Sequence, residues 1–139
     1  MRKIMWLAFV AVVLGAPRTA EAQDSEALPE QVLVAMVQTY NQAVQAKDEE
    51  VLRDDLYRGP IPGDNQRFLD ALFNRTEQLS VTYEARGLEF NDEGAVATIE
   101  CTLSFRHATT GEQKTTRFKL RLIFEPSENG WRLKKTERG

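Results

Sequence analysis

One histidine, one cysteine and a short acidic stretch hold most of the groups in this chain that could do chemistry. His107 falls in phase with the apolar residues of an alternating segment, near its end. An imidazole titrates near neutrality, so it can serve as acid or base in a pocket. The competing reading is a solvated strand-end histidine beside the loop 108–112, because no catalytic partner can be named for it. Asp54 and Asp55, with Asp48 and Tyr57, form an acidic, aromatic stretch, in which Asp55 and Tyr57 join His107 as candidates for proton transfer. A carboxylate needs apolar burial to hold a usefully raised pKa. The neighbours here are Glu49, Glu50, Arg53 and Arg58, the composition of a solvated helical face. The same acids lack the regular loop spacing of a calcium site. Cys101 lies between Ile99 and Leu103 on the apolar side of its segment, where a thiol is an inert small hydrophobe. A single histidine and a single cysteine nearly exclude a structural zinc site, an iron–sulfur cluster and an intrachain disulfide. Neither a metal nor a cofactor is expected.

A second set of residues suits binding. Tyr40, Tyr83, Phe105, Phe118 and Trp131, together with His107, are the candidates for lining a ligand pocket, alongside Phe68 and Phe73. Aromatics at such periodic spacings also simply fill a core. Glu100, Arg117, Lys119 and Arg121 fall on the polar side of alternating segments and form a candidate interaction face for an acidic partner or a second copy of the chain. An obligate interface would be depleted of such charges. Asn74-Arg75-Thr76 matches a glycosylation sequon but falls inside a predicted helix, and such tripeptides arise by chance.

The elements that position these groups are legible from hydrophobic period. Arg2 and Lys3, the uncharged apolar run 4–16, Pro17 and the small residues of Ala20-Glu21-Ala22 make a signal peptide over residues 1–22. The apolar run is shorter than the roughly 20 residues of a membrane span, so no stable membrane insertion is expected after cleavage. The mature chain, 23–139, is then a single domain, exported and periplasmic or secreted. It carries 15 basic and 20 acidic residues, unevenly placed: 6 against 16 up to Glu100, and 9 against 4 from Cys101 onward. The acidic total argues against nucleic-acid binding.

Pro29 and Glu30 suit a first helical turn, and Leu33, Met36, Val37, Tyr40 and Val44 give one stripe of a helix over about 29–46. Asp48 caps a shorter helix, and the loop 58–63 leads to a third helix capped by Asp64, with Phe68, Leu69, Leu72, Phe73 and Leu79 inward. After Ser80 the period falls to two, with a phase slip at Gly87 that predicts a β-bulge. Residues 91–94 make a hairpin turn. Ala95, Ala97, Ile99, Cys101, Leu103 and Phe105 then alternate with polar residues, as do Thr116, Phe118, Leu120, Leu122 and Phe124; Trp131 and Leu133 open a last strand after a turn over 126–130. Three helices packed on one face of a curved antiparallel sheet of about four strands make an α+β fold.

Tyr40-Asn41-Gln42-Ala43, then Lys47-Asp48 and 52–57, then 81–90, the Asp92–Gly94 turn and the closing Gly130-Trp131-Arg132-Leu133 follow an order that resembles the NTF2-like (SnoaL-like, cystatin-like α+β) superfamily. The resemblance covers nearly all of the mature chain without assigning a subfamily. It implies a sheet wrapped around the helices as a cone with an apolar pocket. Members of that superfamily divide into enzymes, ligand binders and dimerisation modules, and its enzymes use pocket carboxylates and tyrosines for proton transfer. The expectation is a non-enzymatic protein that binds a small apolar ligand or acts as an interaction module. One alternative is a cofactor-independent isomerase, dehydratase or cyclase, recognisable by a cavity carboxylate within reach of His107 or a tyrosine. The other is a dimerisation or assembly module, a homodimer through the outer sheet face. Fold alone does not choose among them.

Overall fold

The computed structural model describes residues 28–128 and 130–139. The predicted signal peptide lies outside these residues. Helix α1 spans Pro29–Ala46, and its first turn closes with Val32 N–H donating to the Leu28 carbonyl at 3.1 Å. Residues 33–139 form one unit, described from here on.

Leu33, Val37, Tyr40, Val44 and Ala43 make the buried stripe of α1, at the three- and four-residue steps the sequence shows. Lys47 then turns the chain with φ 55°, and Asp48 caps helix α2 (Glu49–Val51) by accepting from Val51 N–H at 3.2 Å. Helix α2 runs on into a π-helical segment, Leu52–Tyr57, whose wider turn brings Leu52, Leu56 and Tyr57 inward and leaves Asp54 and Asp55 in solvent. Arg58 ends it in a left-handed conformation. Helix α3 spans Gly63–Arg75. Its N-cap is Pro62, with no side-chain cap; Asp64 lies one position inside the helix, where it pairs with Arg67 instead of capping.

The chain passes from α3 straight into strand β1 (Thr76–Asn91), followed by β2 (Gly94–His107), β3 (Gln113–Ser127) and β4 (Gly130–Arg138). The four strands form one antiparallel meander in sequence order. Leu79, expected on the third helix, is a strand residue: Thr76 is already extended, so helical geometry ends before it. Two register irregularities interrupt β1, one between Glu77 and Ser80, where Gln78 has φ 55°, and one between Ala85 and Gly87. The second sits where the apolar phase slips by one, since an extra residue turns every later side chain to the other face. Gly94 closes the first hairpin where a Cβ would stand 2.1 Å from the Phe124 carbonyl oxygen, so only glycine fits the approach of β3.

The core joins the inward residues of β2 (Ala95, Ala97, Ile99, Cys101, Leu103), of β3 (Leu120, Leu122, Phe124) and Leu133 of β4 to the helical stripes. Both outer edges of the sheet are met by helical amides. Gln45 of α1 accepts from Val81 N–H of β1 at 2.8 Å. Asn65 of α3 accepts from Thr136 N–H at 2.8 Å and donates to the Thr136 carbonyl at 2.9 Å on β4. Such contacts satisfy edge groups that would otherwise invite pairing with another chain.

Candidate functional site

At the end of the sheet farthest from the first hairpin, α3 stands off the strands and leaves a cleft of about 270 Å³. Phe68, Ala71, Leu72 and Arg75 contribute from α3; Leu103, Phe105 and His107 from the last turns of β2; Thr116 and Phe118 from the start of β3; and Arg138 from β4. Alternation explains the lining. Leu103, Phe105 and His107 share one face of β2, while Thr116 and Phe118 lie opposite Leu103 and Cys101 in register. Phe68 meets Phe118 edge to face, with ring centroids 6.3 Å apart, and the Arg138 guanidinium carbon sits 4.3 Å from the centre of the Phe118 ring.

Of the eight residues expected to line a pocket, the cleft gathers four: Phe68, Phe105, His107 and Phe118. Tyr40 is buried in the core. Tyr83 is half-buried on β1, in register with Cys101, and burial raises its phenol pKa. Trp131 lies at the far end of the sheet, packed edge to face on Phe90 at 6.2 Å. His107 keeps its place at the rim, where its Nδ1 accepts from the Thr109 and Thr110 N–H groups at 3.2 and 3.4 Å. No Asp or Glu is among the residues lining this cleft.

The remaining chemical candidates sit elsewhere. Asp55 is exposed, and Asp54 lies 3.7 Å from Arg53 on the solvent side of the π-helical segment. Tyr57, one helical face away, is fully buried, and its hydroxyl donates to Asn65 Oδ1 at 3.0 Å. Burial pushes its phenol up to about 12, against a lowering by the Thr136 hydroxyl. Tyr40 is raised further, by burial first and then by its neighbours Tyr57 and Cys101. Cys101 is buried and unpaired, with Sγ 3.9 Å from Asn41 Oδ1, and burial raises the thiol to about 11. These tyrosines and the thiol are protonated interior groups with partners, closed to a ligand.

On the outer sheet face, Glu100 faces Lys119, and Arg121 faces Thr98 in register. Glu100 makes its ion pair with Arg86 of β1, and Arg121 pairs with Glu137 at 2.7 Å. The Arg86 hydrogen bond, strengthened by the charges of Arg86, Arg117 and Lys119, holds the Glu100 carboxyl below its usual range. Among the described residues no three His, Cys, Asp or Glu side chains gather as metal ligands, and no helix is long and apolar enough to cross a membrane.

Sequence reasoning missed Asn65, Lys47 and Arg138. Lys47 Nζ donates to the carbonyls of Phe73 and Thr76 at 3.0 and 2.5 Å, closing the C-terminus of α3 from the turn that follows α1. The only local signal for Asn65 was its place in the first turn of an amphipathic helix.

No family model matches the chain, and no curated protein matches its sequence. Solved structures do match its fold. An NTF2-like superfamily protein from Salmonella enterica aligns at 13% identity over 80% of this chain and 89% of its own, with a TM-score of 0.66. A conserved protein from Planctomyces limnophilus aligns at 19% identity over 77% and 91%, with a TM-score of 0.60. The architecture read from the sequence, three helices before a curved four-stranded antiparallel sheet, is that of the NTF2-like fold.

Proposed function

We propose that this chain, built on the NTF2-like fold, is an exported binding protein that holds a small apolar ligand in the cleft between α3 and the ends of β2 and β3. The observation that carries this reading is the cleft's composition. Phe68, Leu72, Leu103, Phe105 and Phe118 supply a continuous apolar lining, and His107, Thr76, Thr116 and the two arginines stand as its few polar groups. Concave apolar surface with few convergent polar groups is the usual form of a small-molecule site. Its volume of about 270 Å³ lies just under the usual ~300–1,000 Å³, which suits a ligand smaller than drug size.

The enzymatic alternative asks for a carboxylate in the cavity within reach of His107 or a tyrosine. The cleft lining has none, Asp55 faces solvent, and the Tyr57 hydroxyl is committed to Asn65. Binding needs no such pair, and for that reason it is the better-supported reading.

The test is an NMR titration of the chain lacking residues 1–22 with 1-octanol. Methyl signals of Leu72, Leu103 and Ala71 shift together, while those of Ala95, at the other end of β2, stay in place. Shifts centred elsewhere, or none, overturn the assignment. Intact mass of protein recovered from the exported fraction tests the compartment: a chain starting at Gln23 supports export, and one retaining residues 1–22 refutes the cleavage. The same spectrum under native conditions reports any molecule carried through purification.

A further inference from the structure

We infer that the ligand of this cleft is an anionic amphiphile, a monocarboxylate whose head is held by Arg75 and Arg138 while its apolar body lies on Phe68, Phe105 and Phe118; this rests on the binding role proposed for the cleft.

Most of the described arginines are held by an acid, and Arg117, which is not, stands exposed on the outer sheet face away from any apolar cavity. Arg53, Arg67, Arg86, Arg106, Arg121 and Arg132 each meet a carboxylate. Among the described residues, no carboxylate stands within ion-pair distance of Arg75 or Arg138, and both line the same cleft. That placement runs against the charge of the chain, which is net −3. Cations left without partners beside an apolar cavity, in a protein with acids to spare, are complementary to an anion brought by the ligand.

Neither arginine is taken up by a structural duty that would explain it. A basic residue in the last turn of a helix commonly serves the terminal carbonyls. Here Lys47 Nζ already takes those of Phe73 and Thr76, so Arg75 is not required as a cap. Arg138 is laid over Phe118, which fixes the guanidinium at the cleft without neutralising it. A guanidinium offers N–H groups in a planar fork that fits a carboxylate, and stacking on a ring leaves its edge free to donate. His107, with Nδ1 committed to the loop, adds its ring to the same lining. With no acid in the lining, nothing within the cleft competes for these donors.

Octanoate, 1-octanol and acetate separate the contributions of head and tail when each is titrated into the chain lacking residues 1–22 by calorimetry, with NMR locating the site. Octanoate is expected to bind roughly tenfold tighter than 1-octanol, the factor that charge-assisted hydrogen bonds supply, and acetate far more weakly than either. Arg75→Gln and Arg138→Gln each weaken octanoate several-fold more than they weaken 1-octanol, whereas Arg117→Gln on the outer face changes neither. Equal binding of octanoate and 1-octanol overturns the anionic head while leaving the apolar pocket standing. Equal losses for both probes in the arginine variants also overturn it, by showing a packing role. Acetate binding as tightly as octanoate removes the tail from the recognition. Failure of both octyl probes removes the pocket itself, and this inference with it.

Discussion

Two regions of the interior make an instructive pair. In the first, around Tyr40, Tyr57, Asn65, Cys101 and Thr136, the side chains are chemically capable and every one is shut in. In the second, the cleft at the ends of β2 and β3, inert phenylalanines and leucines supply the walls, and the space is open. Reactive residue types therefore mark where the fold is locked, and plainer ones line the space that stays open. The difference comes from satisfaction. Asn65 accepts from the Tyr57 hydroxyl and from Thr136 N–H, and donates to the Thr136 carbonyl, so one amide joins the π-helical segment, α3 and the edge strand β4. A buried network pairs in this way because unpaired members are expensive.

The sharpest way to break the comparison is to remove its central amide. Asn65→Ala strands the Tyr57 hydroxyl and both Thr136 backbone groups, and is expected to cost about 3 kcal/mol of unfolding free energy, read from urea denaturation. A loss under about 1 kcal/mol would show that water replaces the amide and that the region is not closed. Cys101→Ser puts a hydroxyl among Ile99, Leu103 and Asn41, with an expected cost of about 2 kcal/mol. An unchanged melting temperature would place Cys101 outside the core. The thiol should also resist alkylation until the protein unfolds, because burial holds it protonated.

Tyr57→Phe removes one hydrogen bond and leaves Asn65 its two bonds to Thr136, for an expected loss of about 1 kcal/mol. It also carries a pH signature. The folded phenol is pushed up to about 12 from an ordinary 10.0, so its contribution is complete below pH 10 and is lost as pH rises toward 12, where the unfolded chain ionises first. Stability measured across that window should fall less steeply in the Phe variant. An identical slope would show that Tyr57 titrates freely in the folded state. The smallest effect belongs to the outer face: Arg117→Glu should change stability by less than about 0.5 kcal/mol, since the residue is exposed, makes no direct ion pair among the described residues and reaches Glu100 only through its charge. Loss of folded protein would put that face in the core and reverse the assignment of inside and outside.

Much of this architecture was legible because period is a local property. The α1 stripe from Leu33 to Val44, the Asp48 cap, the bulge at Gly87 and the inward set Ala95 to Leu103 all stand where the spacing of apolar residues puts them. Local signals misled where the chain changes type without a loop. Asp64 looked like a cap because it is a good one, yet Pro62 already holds the extended conformation that precedes α3. Leu79 continued the helical spacing past a boundary set by Thr76, whose hydroxyl bonds back to the Leu72 carbonyl at 2.6 Å as the backbone extends.

The candidate site was only half legible. Phe105, His107 and Phe118 were in phase with the inner face and do meet at one end of the sheet. Tyr40 and Trp131 have the same residue chemistry, but one is sealed on the buried face of α1 and the other lies at the opposite end of the strands. Phase along a strand tells which face a side chain takes; it carries nothing about how far the covering helix reaches along that face.

The sequence by itself determined the order of the elements, the two faces of each strand, the burial of Cys101 and the exposure of Asp55, because each follows from neighbours within a few residues. Only the tertiary structure decided where the interior stays open and which charges are left without partners. Arg75 and Arg138 are 63 positions apart in the chain and share one cleft, and Asn65 reaches Thr136 across 71. Such meetings depend on how α3 lies on the sheet, a packing of distant surfaces that no local period encodes.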